Sequence, residues 1–105
     1  MSDDAPLGAF EEQVMLAVVH AGEDAFGMNV RREIESRTGR DVAIGAVYAT
    51  LDRLEAKKLI SSVRPRGAGT SRRIFRVSSA GSRALMATRA MRDGLWRGID
   101  LARIV

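Results

Sequence analysis

The chain has 105 residues, no cysteine, one histidine, 17 Lys plus Arg against 13 Asp plus Glu, and only 5% aromatic residues. A chain of this length buries only about 60 to 70% of the surface its unfolded form exposes, so it can build one modest core and a second copy would add to its stability. Without cysteine there is no disulfide framework, thiolate zinc site or cysteine nucleophile, and a single histidine cannot furnish a multi-histidine metal shell, so no metal or other cofactor is expected.

The longest apolar run, Val14 to Val19, is far short of the roughly 20 residues that span a bilayer, and the N-terminus is acidic, unlike a signal peptide. A cytoplasmic protein with no membrane partner is expected. Charge is distributed unevenly. Residues 1 to 30 carry Asp3, Asp4, Glu11, Glu12, Glu23 and Asp24 with no Lys or Arg, a net of −6, so the remainder holds +10 to give the overall +4. Between Arg64 and Arg76 stand Arg64, Arg66, Arg72, Arg73 and Arg76 with no acid. Such clustering fits a nucleic-acid footprint, and equally a solvated basic loop, so position must decide.

In chain order, Phe10, Val14, Ala17, Val18 and Ala21 recur at three- and four-residue spacing, which predicts a first helix ending near Gly22. Asp24 is the expected N-cap of a second helix with a buried stripe of Phe26, Val30 and Ile34, stopped at Thr38-Gly39. A third helix from Ile44 to Lys57 buries Ile44, Val47, Tyr48, Leu51 and Leu54. Its outer face is then Ala46, Ala49, Thr50, Arg53 and Lys57, small, polar and basic. Ile60 to Arg64 and Arg73 to Val77 read as short strands around Pro-Arg-Gly-Ala-Gly-Thr-Ser, a loop, with Phe75 and Val77 on one side and Ile74, Arg76 and Ser78 on the other. Ser78 or Ser79 then caps a long helix carrying Ala84, Ala87, Met91, Leu95, Ile99 and Ala102 on one face. At about 35 Å it is too long for so small a body to cover, and it is expected to reach another chain.

The fold class is therefore mainly α with a small β-hairpin: a winged helix-turn-helix of three helices, a two-stranded wing and a long C-terminal helix. Residues 1–78 would form the DNA-binding unit, with 1–6 flexible, and 79–105 the dimerisation helix. A helix with small outer residues can enter a DNA major groove while the hairpin's arginines reach the backbone or minor groove. Candidate DNA contacts are Gly45, Ala46, Tyr48, Thr50, Arg53 and Lys57 on the third helix and Arg64, Arg66, Arg72 and Arg73 on the wing. Each has a plainer reading: Gly45 shapes a turn, Arg53 is solvated near Asp52 and Glu55, and Tyr48 packs in the core. No nucleophile or acid–base pair stands at a recognisable catalytic spacing, which argues against an enzyme. A winged-helix module that binds protein without specific DNA binding is the alternative to a DNA-binding regulator.

Leu7-Gly8-Ala9-Phe10-Glu11, Ala25-Phe26-Gly27, the run from Gly45 to Leu54 (GAVYATLDRL) and Ala80-Gly81-Ser82-Arg83-Ala84-Leu85, in this order and spacing, resemble the PadR family of transcriptional regulators over about residues 7 to 85. The resemblance implies a homodimeric repressor of an inverted-repeat operator, released by a ligand or other signal. It implies a dimer interface of the last helix with the first, here Phe10, Val14, Met91, Leu95 and Ile99, and a Tyr48 hydroxyl on a phosphate. Trp96 would stack on a small aromatic effector between chains or simply pack there. The chain resembles the short branch of the family. Two departures stand out. Ala43 occupies a position where the family often has a hydroxyl residue, at a cost of about 0.5 to 2 kcal/mol if nothing compensates. Ile74-Phe75 replaces a frequent pair of aromatics in the wing.

Overall fold

The computed structural model describes residues 6–65 and 72–104. Helices α1 (Ala9–Ala21), α2 (Gly27–Thr38) and α3 (Ile44–Ala56) precede strands β1 (Ile60–Val63) and β2 (Ile74–Val77), and α4 (Ser79–Trp96) follows; short 3-10 turns occupy Gly22–Asp24 and Leu101–Arg103. The strands pair antiparallel, with Ile60 opposite Val77 and Ser62 opposite Phe75. The result is the expected winged helix-turn-helix followed by a helix.

One core joins the first three helices to the wing: Val14, Met15 and Val18 of α1, Val30 and Ile34 of α2, Val47, Leu51 and Leu54 of α3, with Ile60 and Phe75 from the strands. Phe75 is fully buried, and its N–H donates to the Ala25 carbonyl (3.1 Å), so β2 is held to the chain before α2. Two four-residue strands are marginal by themselves; the buried Phe75 and Ile60 side chains are what give the wing a fixed place.

The helix ends follow local chemistry. At the start of α1 the Glu11 carboxylate accepts the Gly8 N–H (2.9 Å), half of a capping box. Helix α2 ends where sequence predicted, on Gly39 in the left-handed region (φ 72°). Its start differs: Phe26 is the N-cap, and Asp24 belongs to the preceding turn, where its carbonyl accepts from Phe26 N–H and the Asn29 amide, both at 2.8 Å. Ala25, wholly buried and bonded to β2, separates the two and prevents Asp24 from capping.

Ala43 is the N-cap of α3 and supplies no side-chain bond. One residue earlier the Glu35 carboxylate accepts the Val42 N–H (3.0 Å) while pairing with Arg31 (3.3 Å), which pins the turn between α2 and α3. The Val42 bond, helped by Arg31 and opposed by burial, holds the Glu35 carboxyl below its ordinary range. Helix α3 closes with Lys58 in the left-handed region (φ 64°), where Leu59 N–H reaches back to the Leu54 carbonyl (3.0 Å). That turn then receives α4: Ser78 donates through its hydroxyl to the Lys58 carbonyl (2.9 Å) and through its N–H to the Leu59 carbonyl (3.0 Å). The Ser78 hydroxyl also caps α4, accepting Gly81 N–H at 3.0 Å.

Helix α4 is shorter than predicted. It stops at Trp96, Arg97 turns to ψ 127° and Gly98 adopts φ 83°, so Ile99 and Ala102 do not continue its stripe. Two glycines four residues apart would weaken a continuous helix by about 2 kcal/mol together, and none of the described residues covers the apolar side chains beyond to offset that. Toward the body α4 presents Gly81, Leu85 and Thr88; Thr88 Oγ1 accepts Leu7 N–H (3.1 Å) and Arg92 pairs with Glu12 of α1.

Candidate nucleic-acid interface

At 100° per residue, Val47, Thr50, Leu51 and Leu54 fall on one side of α3, and all four are buried. The opposite stripe is Gly45, Ala49, Asp52 and Ala56, all exposed, with Tyr48 on one flank and Ala46, Arg53 and Lys57 on the other. Thr50 is therefore not an outward residue, contrary to the sequence reading. It is 3% exposed, sits one turn from Val47 and Leu54, and its hydroxyl is satisfied by Arg53 Nη2 (3.4 Å). Polarity suggested an outer position; the methyl packs inward and the hydroxyl finds a donor one turn away. Asp52, at the centre of the exposed stripe, was not among the predicted contacts.

Tyr48 is 39% exposed, closer to the surface than the buried stripe on which the sequence placed it. Its ring lies on the first residue of α2: a Cβ added to Gly27 would stand 2.4 Å from Tyr48 Cζ. Gly27 thus leaves the space in which the tyrosine is oriented, a role that no spacing rule reveals although Ala25-Phe26-Gly27 marked the segment. Gly45 has open space around it.

The cations are not simply displayed. Glu11 of α1 collects two of them, Lys57 Nζ at 3.0 Å and Arg53 Nε at 3.4 Å, across the outer edge of α3. Burial pushes the Glu11 carboxyl up, but hydrogen bonds from Gly8 N–H and Lys57, with Arg53 adjacent, outweigh it and hold the group below its ordinary value. Arg73 donates to Asp52 (2.7 Å) and Glu55 (3.3 Å) of α3 and lies 4.9 Å from the Phe75 ring centroid. Arg72 stacks over Phe26 at 4.7 Å. Arg64 is exposed just after β1, and Arg66 lies outside the described residues.

The residues assigned to a dimer interface separate. Val14, one helical turn after Phe10, is wholly buried in the core and cannot touch a partner. Phe10 is half-buried against the same core. Met91, Leu95 and Trp96 are exposed on α4, and Ile99 follows on the turn after it. Leu95, Trp96, Ile99 and Leu101 line a shallow apolar hollow. Among the described residues no helix is long and apolar enough to cross a membrane, and no cluster of three or more His, Cys, Asp or Glu could hold a metal ion.

The family model of the PadR-like transcriptional regulators matches residues 15–87. The transcriptional regulator Rv3488 of Mycobacterium tuberculosis is 35% identical over 88 residues, 82% of this chain and 81% of that protein. Among solved structures, a PadR family transcriptional regulator from Eggerthella lenta superposes with a TM-score of 0.66 at 24% identity, over 81% of this chain and 75% of that one. RosR of H. salinarum gives a TM-score of 0.74 at 20% identity, covering 97% and 88%. Bordetella bronchiseptica BpsR, whose DNA binding is regulated by 6-hydroxynicotinic acid, gives 0.66 at 16%, covering 99% and 75%. These likenesses agree with the winged helix, the wing and the following helix, and with the motifs that carried the resemblance. The chain belongs to the PadR-like family of transcriptional regulators, and is a regulator rather than an enzyme.

Proposed function

We propose that the protein acts in the cytoplasm as a homodimeric, sequence-specific DNA-binding repressor. Helix α3 of each copy enters a major groove of an inverted-repeat operator, and a signal, such as a small aromatic molecule, releases it. The observation that carries this reading is the exposed stripe of α3. Gly45, Ala49 and Ala56 keep most of that stripe small around Asp52, so the helix can approach base edges, and Tyr48 stands beside them with its ring oriented by Gly27. Gly45 and Ala46 at the helix start allow close approach to a phosphate, and Arg64 and Arg72 frame the wing. In this reading residues 1–78 bind DNA and 79–105 dimerise. The exposed Met91, Leu95 and Trp96 supply the interface, and the hollow around Trp96 is where an effector would sit. The regulation of BpsR by an aromatic acid supports that last element.

Fluorescence anisotropy against the duplex upstream of the protein's own coding region and a scrambled duplex, over a salt series, tests it. Binding to the native duplex should survive salt better than binding to the scramble, because base contacts add a term that counterion release does not weaken. Equal, steeply salt-sensitive binding to both would show only a basic surface, and no binding at low salt would favour a protein partner. With a twofold dimer, protected half-sites should be centred about one helical turn, or a multiple, apart.

A further inference from the structure

We propose that Arg73 is a positioning residue that fixes the angle of the wing against α3, and not a phosphate contact; this rests on the reading of α3 and the wing as a DNA-binding surface. Four observations meet at one guanidinium. Nη2 donates to Asp52 Oδ1 at 2.7 Å, Nη1 donates to Glu55 Oε1 at 3.3 Å, the guanidinium carbon lies 4.9 Å from the Phe75 ring centroid, and the side chain is only 24% exposed. Asp52 and Glu55 are three apart on α3, so both carboxylates reach the same cation from neighbouring turns. Glu55 also accepts from the Ser62 hydroxyl of β1, at 3.0 Å and 2.9 Å to its two oxygens. Ser62 is the residue opposite Phe75 in the ladder. One carboxylate of α3 thereby holds β1 directly and, through Arg73, the residue that leads into β2.

The electrostatics favour the bridge over a DNA contact. Asp52, Glu55 and Arg73 together carry a net charge of −1, and Asp52 is 62% exposed on the stripe that faces the groove. An Arg73 drawn to a phosphate would leave two carboxylates uncompensated beside the DNA backbone. Kept in place, it neutralises part of that charge. Its forked geometry matters here, since a lysine is a single point charge and cannot meet both acids at once while lying on a ring.

The test uses the full chain, the variants R73Q, R73K and D52N/E55Q, and a duplex that the wild-type protein selects from a random-sequence pool, with a scrambled duplex beside it. Thermal melting checks that each variant folds. If Arg73 positions the wing, hydrogen exchange in the DNA-free protein should speed up by about fivefold at Ile74 to Val77 in R73Q, in R73K and in D52N/E55Q alike. Combining R73Q with D52N/E55Q should add nothing further. The ratio of specific to scrambled binding should fall in all of them, with the slope of log affinity against log salt unchanged in R73Q. The proposal is overturned if R73Q lowers that slope by about one while exchange stays as in wild type, if R73K behaves as wild type, or if D52N/E55Q raises the ratio of specific to scrambled binding. Should the wild type bind no duplex, the DNA-binding reading falls, and exchange alone decides whether the bridge holds the wing.

Discussion

Helices α1 and α4 each carry nine apolar residues, over 13 and 18 positions, and meet opposite fates. The 13 residues of α1 bury Val14, Met15, Ala17 and Val18, whereas the 18 residues of α4 bury only Gly81 and Thr88. From Arg89 onward every described residue is exposed, including Leu95 at 71% and Trp96 at 57%. The difference teaches that apolar content does not place a helix; surroundings do. Helix α1 has α2, α3 and β2 around it, while α4 packs on the body only through its first three turns and beyond them touches it through the exposed Arg92–Glu12 pair. A helix whose later turns find nothing to cover must get its stability from elsewhere, and a second copy is the occupant consistent with the proposed function.

The strongest way to break this contrast is to empty the body. Phe75→Ala should cost about 3 to 5 kcal/mol in urea denaturation, because a fully buried ring leaves a cavity and the wing loses its anchor. Next come two glycines of α4 treated alike. Gly81→Ala puts a methyl 2.0 Å from the Leu59 carbonyl oxygen, backbone that cannot swing away, and should cost about 1 to 3 kcal/mol. Gly94→Ala meets open space and should stabilise by up to about 1 kcal/mol. Equal effects of the two would erase the distinction between the attached and free halves of the helix. Third, Trp96→Ala should weaken self-association by about 1 kcal/mol or more in sedimentation equilibrium, while leaving the monomer's unfolding within about 0.5 kcal/mol of wild type.

The smallest effect concerns the acid side of the body. The Glu11 carboxyl is held below its ordinary value of 4.5, so its ionised form stabilises the fold fully above that value, and the stabilisation drains away as pH falls through the lower, folded one. Glu11→Gln should therefore lower the melting temperature near neutrality, by less than about 1 kcal/mol in stability, and the two curves should converge as pH falls below about 4.5. A gap that widens on acidification would show that Glu11 is not stabilised by Gly8, Lys57 and Arg53.

Most of the fold was legible because period and punctuation agreed. Thr38-Gly39 stopped α2, alternation set Phe75 and Val77 on the side of β2 opposite Arg76, and Ser78 was one of two candidate caps. The errors lie where a local rule met tertiary geometry. Asp24 has the chemistry of a cap, but Ala25 had to reach β2 first. Thr50 is polar by type and buried by phase, and Val14 was given to a partner when its own chain already surrounds it. The stripe through Ile99 and Ala102 continued on paper because spacing alone cannot tell whether anything waits to cover it. In the candidate interface, residue types revealed the basic wing and the small face of α3. They did not reveal that Arg53, Lys57 and Arg73 are matched to acids, since Glu11 lies 42 and 46 residues from the first two.

The junction of Ser78 and Gly81 with the Lys58-Leu59 turn has one more consequence. With two hydrogen bonds and no room for a methyl, it fixes the rotational phase at which α4 leaves the body, and every side chain beyond Thr88 inherits that phase. Inserting a single residue between Thr88 and Met91 would turn Met91, Leu95 and Trp96 by about 100° while Gly81, Leu85 and Thr88 keep their places on the body. Under the proposed function, two copies joined through that surface would then present their α3 helices on a different side of the shared axis, and the half-site spacing of an operator would depend as much on this joint as on the helices that read it.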